Sequence, residues 1–207
     1  MDKLIYLDNA ATTQVYPEVL DAMLPYFTQY YGNPSAIYTF AGKAAKAVNE
    51  ARAALAAGIG AVPEEIYFTG GGSESDNWAL KAAVETFGRE GAHIITTKIE
   101  HHAVLHSAQY LEKRGCKVTY LDVDENGFVR PEDVKAAIRA NTALISVMAA
   151  NNEIGTIEPL REIGEIAKEN GILFHTDAVQ AFGHIPLDVN AMHIDLLSAS
   201  AHKINGP

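Results

Sequence analysis

The residues best suited to chemistry stand near the end of the sequence: Ser198-Ala199-Ser200-Ala201-His202-Lys203, directly after the apolar run Ile194-Asp195-Leu196-Leu197. A lysine just beyond a buried strand, with hydroxyls and an imidazole beside it, suits capture of an aldehyde as a Schiff base better than it suits a solvated amine. Most lysines are simply hydrated, so the upstream residues decide.

Four upstream groups bear on this. Gly70-Gly71-Gly72-Ser73-Glu74-Ser75 follows Ile66-Tyr67-Phe68-Thr69 and leads into a helical pattern. Glycines let the backbone curl close to a ligand, and a helix N-terminus offers N–H groups to a phosphate. The same residues also read as a flexible loop with Ser73 as helix N-cap. After Ile94-Ile95-Thr96-Thr97 comes Glu100-His101-His102, with His106 four residues beyond His102. Histidines at that spacing share a helix face and fit a metal. With no cysteine ligand and no third histidine assigned, an imidazole stacked on a flat ring, or a satisfied polar residue, is the better reading, and no metal site is assigned. Asn151-Asn152-Glu153-Ile154-Gly155 is a run of amides that also reads as a plain turn. Asp177 closely follows the strand-like Ile172-Leu173-Phe174-His175, where a carboxylate is costly to ionise without a cation. A pyridinium nitrogen is such a cation. Read together, these groups make a site for an aromatic aldehyde phosphate. Gly72-Ser73 would cradle the phosphate, Asp177 face the ring nitrogen, Asn152 and Gln180 meet the ring oxygen, His101 cover the ring face and Lys203 take the aldehyde.

The elements that must position these residues alternate between short β-rich runs and helical patterns, which predicts an α/β fold: a mainly parallel sheet flanked by helices. The expected strands are 66–69, 94–97, 118–121, 144–148, 172–175 and 194–198. Helical faces run through Leu80, Val84 and Phe87, through Leu160, Ile163 and Ala167, and through Phe40, Ala44, Ala47, Ala51 and Leu55. A further helix is expected to start near Pro17. In such a sheet, ligands bind beyond the carboxyl ends of the strands, where these polar groups fall. The expected organisation is an N-terminal arm over residues 1–15 and one cofactor-binding domain over 16–207.

Composition narrows the partners. The chain has 207 residues, 48% of them hydrophobic, and a formal charge of -10 from 16 Lys+Arg against 26 Asp+Glu. That is enough for one substantial core. With no basic stripe, neither nucleic acid nor an anionic membrane is an expected partner. The opening Met1-Asp2-Lys3-Leu4-Ile5-Tyr6 is too short an apolar run for a signal peptide and no segment has the length of a membrane span, which points to a cytoplasmic location. Cys116 is the only cysteine, so an intrachain disulfide and a CxxC motif are excluded. It reads as a part-buried thiol at a strand start.

The sequence resembles the NifS/IscS-type cysteine desulfurases of the class V aminotransferase family. The resemblance rests on Tyr6-Leu7-Asp8-Asn9-Ala10-Ala11-Thr12-Thr13, Gly32-Asn33-Pro34-Ser35, Gly72-Ser73-Glu74-Ser75-Asp76-Asn77, Glu100-His101-His102-Ala103-Val104, Asn151-Asn152-Glu153-Ile154-Gly155 and Ser200-Ala201-His202-Lys203-Ile204-Asn205-Gly206-Pro207, in that order. It implies the large domain of a fold type I transferase that uses pyridoxal 5'-phosphate, here incomplete. It further implies that Lys203 forms the Schiff base and moves protons, that Asp177 keeps the ring nitrogen protonated, and that His101 stacks on the ring and assists proton transfer. Gly72, Ser73, Ser200 and His202 would hold the phosphate, and Gln180 and Asn152 would contact the ring oxygen or substrate. Ser73 stands where the family commonly has threonine, and Gly71 where it often has serine.

The resemblance implies conversion of L-cysteine to L-alanine with sulfur passed on as a persulfide, a homodimeric full-length form, and a sulfur-acceptor or iron–sulfur scaffold protein as partner. Family members continue well past this lysine, into the nucleophilic cysteine, a substrate-binding arginine, most of the small domain and further sheet strands. The 207 residues are therefore expected to be inactive alone and to leave an exposed sheet edge. Two other readings stay open: a non-catalytic pyridoxal-phosphate-binding or assembly fragment, and a class V aminotransferase or selenocysteine lyase.

Overall fold

The computed structural model describes residues 5–87 and 91–207. The first four residues of the expected arm, and of the opening run read for a signal peptide, lie outside them. The chain divides into two compact units, Met1–Phe68 with Ala201–Pro207, and Thr69–Ser200.

The second unit holds a five-stranded, wholly parallel sheet. Its strands are β1 (His93–Thr97), β2 (Lys117–Leu121), β3 (Thr142–Ser146), β4 (Leu173–Asp177) and β5 (Leu196–Ser198), in the spatial order β2-β1-β3-β4-β5. Parallel neighbours require crossovers; the helices described below supply those up to β4, while the link from β4 to β5 over residues 178–195 is made of turns. The order reverses between β1 and β3, which makes a crevice at their carboxyl ends. All five residues of β1 are buried, so both faces of the sheet are covered there. On one face, Leu80 and Ala83 of a helix over Gly72–Phe87 and Val104, Ala108 and Leu111 of a helix over His102–Glu112 pack with Ile94 and Leu144. These two helices are α3 and α4, since the first unit contributes α1 (Pro17–Thr28) and α2 (Gly42–Ile59). Between the later strands come α5 (Pro131–Ala137) and α6 (Leu160–Glu169), whose Ile163 and Ala167 are buried as their spacing requires.

Pro17 opens α1, where its missing N–H costs nothing. Helix α2 stops at Gly60, which takes φ 74° and returns its N–H to Ala56 O.

Five expected strands are present with shifted ends, and one is not a strand. Residues 66–69 form no ladder, because the Ile66 N–H is spent on Pro63 O (3.2 Å) and its carbonyl accepts Arg52 Nε (3.1 Å). β5 starts two residues later than expected, since the Ile194 N–H turns back to Val189 O. β3 ends before Met148, whose N–H donates to a side chain instead. Ser73 lies inside the first turn of α3, which begins at Gly72, so it is not the N-cap.

Candidate functional site

In the second unit the sequence-selected residues gather at the carboxyl edge of the sheet, in two connected clusters. The first is built around Gly72. Gly71, at φ 147°, admits the turn that starts α3. It is braced by Thr69, whose hydroxyl bonds Ser75 Oγ (2.8 Å) and donates to Gly71 O (3.1 Å). A Cβ on Gly72 would come within 2.7 Å of Val179 Cγ2 and 3.7 Å of Ser200 Cβ. Gly72, Val179 and Ser200 are thus in contact, and only glycine permits it. The first-turn amides of a sixteen-residue helix, beside Ser73 and Ser200, are groups that could hold an anion.

The second cluster is built around Asp177, the last residue of β4 and only 4% exposed. Its Oδ1 accepts the Val179 N–H at 2.9 Å, so Val179 joins the two clusters. A carboxyl oxygen of Asp177, one of Asp76 and a ring nitrogen of His101 lie within 4.8 Å of one another. His101 is exposed at the N-terminus of α4, where Nδ1 accepts the Ala103 N–H (3.2 Å), which leaves the Nε2 side of the ring for other partners. His102 and His106 do share an exposed face of α4, with ring centroids 5.3 Å apart.

Behind this cluster lies a buried polar layer. His175 bonds Ser146 Oγ at Nδ1 (2.9 Å) and Ser198 Oγ at Nε2 (3.1 Å), and burial holds its pKa down to about 3. It is neutral and offers the acids no counter-charge. Asp76, 1% exposed, is pushed up to about 8 by burial and then by the charge of Asp177. Glu100 takes the Met148 N–H and the Thr97 hydroxyl on Oε1, both at 2.9 Å, and burial raises it well above the carboxylate range. This carboxyl ties the end of β1 to the end of β3, across the crevice.

Asn152 is half-buried in the turn after β3, with Nδ2 on Glu153 Oε1 (3.1 Å). The turn is held by its neighbour: Asn151 accepts the Glu153 and Ile154 N–H groups and donates to Ile99 O. Gln180, also half-buried, follows Asp177 in a tight turn closed by the Ala181 N–H on Ala178 O.

Lys203 and His202 belong to the first unit. They lie in a short 3-10 turn, Ala201–Lys203, clasped by the segment read as an arm. Thr13 N–H and Oγ1 both donate to His202 O (2.9 and 2.8 Å), and Thr13 Oγ1 accepts the Asn205 N–H (2.8 Å). His202 Nδ1 pairs with Thr12 Oγ1 (3.1 Å), and burial followed by the Lys203 charge lowers its pKa. Lys203 Nζ donates to Ala11 O at 2.8 Å and to Ala10 O.

Sequence reasoning missed Asp76, His175, Glu100 and Val179 as parts of the site. Asp76 was detectable, since it falls four residues before Leu80 on the apolar stripe of α3. His175 was hidden in an apolar strand, where a lone histidine ordinarily reads as core.

The aminotransferase class-V family model matches residues 5–207. A cysteine desulfurase IscS of Clostridium botulinum (strain Kyoto / Type A2) is 61% identical over 207 residues, covering 100% of this chain and 52% of its own length. One from Methanosarcina thermophila is 57% identical over 206 residues, with 100% and 51% covered. Among solved structures, SspA in complex with cysteine superposes with TM-score 0.96 at 44% identity, covering 99% of this chain and 59% of that one. The apo cysteine desulfurase from Thermococcus onnurineus NA1 gives 0.90 at 34%, covering 99% and 51%. The chain spans about half the length of the curated relatives it matches. With the family model covering nearly every residue, the chain belongs to the aminotransferase class-V family, whose members depend on pyridoxal phosphate.

Proposed function

We propose that this chain is the cofactor-binding portion of a cysteine desulfurase that converts L-cysteine to L-alanine and passes the sulfur on as a persulfide. The observation that carries the reading is the buried Asp177 carboxyl, placed beside His101 and Asp76 at the sheet's carboxyl edge and joined through Val179 to the Gly72–Ser200 cradle. The residues fit pyridoxal phosphate. The buried Asp177 carboxyl suits a ring cation, and the helix N-terminus with its hydroxyls suits a phosphate.

When bound, pyridoxal phosphate supplies an aldehyde that condenses with amines and a ring that accepts electrons from the substrate carbon. Lys203 supplies the amine. Its Nζ donates hydrogen bonds to the Ala10 and Ala11 carbonyls, which it would exchange for the aldehyde. Asp177 would face the ring nitrogen and favour its protonated form, and His101 would assist proton transfer. Gly72, Ser73, Ser200 and His202 would hold the phosphate, as the family resemblance implies, while Asn152 and Gln180 would contact the ring oxygen or the substrate. Cys116 does not supply the sulfur-accepting thiolate, because it is half-buried and burial raises its pKa. The 207 residues alone are therefore expected to form no persulfide.

The reading extends to residues 16–207 as a cofactor-binding large domain with residues 1–15 as its arm, to a cytoplasmic homodimer, and to a sulfur-acceptor or iron–sulfur scaffold partner. Its support is the naming of the relatives as IscS and the lack, among the described residues, of any helix long and apolar enough to cross a membrane. The test is a titration with pyridoxal phosphate followed by visible absorbance. The wild type should develop a band that Lys203→Ala lacks. An equal band in Lys203→Ala would overturn the assignment.

A further inference from the structure

Two carboxyls meet at the carboxyl edge of the sheet, and the structure treats them differently. Asp177 has a backbone donor, the Val179 N–H at 2.9 Å on Oδ1. Asp76 has an oxygen, Oδ1, that is fully buried and has no hydrogen-bond partner. The nearest basic group, His175 Nε2, stands 3.6 Å from it, beyond hydrogen-bond range. Both nitrogens of that ring are already engaged by Ser146 and Ser198 hydroxyls. No lysine or arginine forms an ion pair with Asp76 among the described residues. Two like charges at this separation and depth cannot both persist, so one carboxyl keeps a proton. The proton belongs on Asp76, one of whose oxygens is buried with no donor.

We propose that Asp76 is a positioning residue that enters the site as a neutral carboxylic acid, leaving Asp177 as the single negative charge of the cluster. This rests on the reading of Asp177 as the partner of a ring cation, and it explains why the negative charge faces that cation from one place only. The groups that face Asp76 are His175 and Asp177 on β4, Ser198 on β5, His101 at the start of α4 and, further off, Glu100. Burial and the Asp177 charge both push Asp76 upward, to about 8, and a bond with Ser198 only partly offsets them. Burial first, and then the Asp177 charge, push Glu100 upward as well, which disfavours a second anion there.

The test needs no cofactor. In the chain labelled with ¹³C only at aspartate carboxyl carbons, which removes Glu100 and Glu158 from view, one resonance should still be protonated at pH 6.5. In Asp177→Asn that resonance should persist, with its midpoint lowered by roughly one pH unit because a like charge has gone. In Asp76→Asn it should vanish. No protonated aspartate at pH 6.5, or loss of the signal in Asp177→Asn, would overturn the proposal, and the second result can be read even if Asp76→Asn does not fold. Adding pyridoxal phosphate to the wild type should leave the signal protonated. Its loss on loading would show that Asp76, not Asp177, answers the ring. Failure of the chain to take up cofactor at all counts against the functional reading and leaves the cofactor-free titration to judge Asp76.

Discussion

On the proposed reading Asp177 stays ionised in a nearly dry place, where the Val179 N–H and an incoming ring cation would both stabilise the charge. Removing it should therefore cost a charge-assisted bond: Asp177→Ala is expected to weaken pyridoxal-phosphate binding about tenfold to a hundredfold, measured by equilibrium titration. Unchanged affinity would remove Asp177 from the site. Gly72 gives a second test of the same kind, since a Cβ there would meet Val179 Cγ2 at 2.7 Å. Gly72→Ala should lower stability by about 1–3 kcal/mol, and Val179→Ala in the same chain should restore part of the loss. Additive losses in the double variant would mean that the two side chains do not compete for that space. Asp177 was legible in the sequence because it sits where a strand hands over to a loop, and Gly72 because a glycine run there leads into a helical pattern. Val179 was not, since an apolar residue between two polar ones announces nothing until the fold brings Gly72 against it.

Among the elements, the clasp between residues 10–16 and 201–206 is the least expected. The sequence marked both segments as motifs but held no local signal that they pair, because their hydrogen bonds join positions about 190 residues apart. Thr13→Val keeps the shape and removes a hydroxyl that both donates to His202 O and accepts the Asn205 N–H. The change should cost about 1–2 kcal/mol and speed amide exchange at Asn205. Exchange at Asn205 equal to wild type would show that the clasp does not hold the lysine turn. The sheet, by contrast, was largely readable: its apolar runs are short and mostly separated by helical periods. The exception, residues 66–69, has the composition of a strand, but a turn and the Arg52 side chain take the backbone groups that a ladder would need.

For the molecule as a whole, the buried acids set the pH response. Asp76, Glu100 and Glu158 have folded pKa values above their usual ones, with Glu158 at about 7 through burial and the nearby Asp124. Their contribution to stability is full below the ordinary carboxylate range and is lost as pH rises, for Glu158 through about 7 and for Asp76 through about 8. His93 and His175 act in the opposite sense: held to about 4 and about 3, mainly by burial, they weaken the fold as pH falls below the usual 6.5 and do nothing above it. Between pH 6.5 and 9 the acids act alone, so the melting temperature should fall by about 5 °C or more. A rising melting temperature over that interval would mean that these carboxyls are ionised in the native state. The central claim is that the chain builds a covalent cofactor site at one lysine, and borohydride reduction of the pyridoxal-phosphate-loaded protein followed by peptide mapping tests it most directly. The account predicts a single reduced adduct on Lys203; no adduct, or label scattered over exposed lysines such as Lys46 and Lys98, would contradict it.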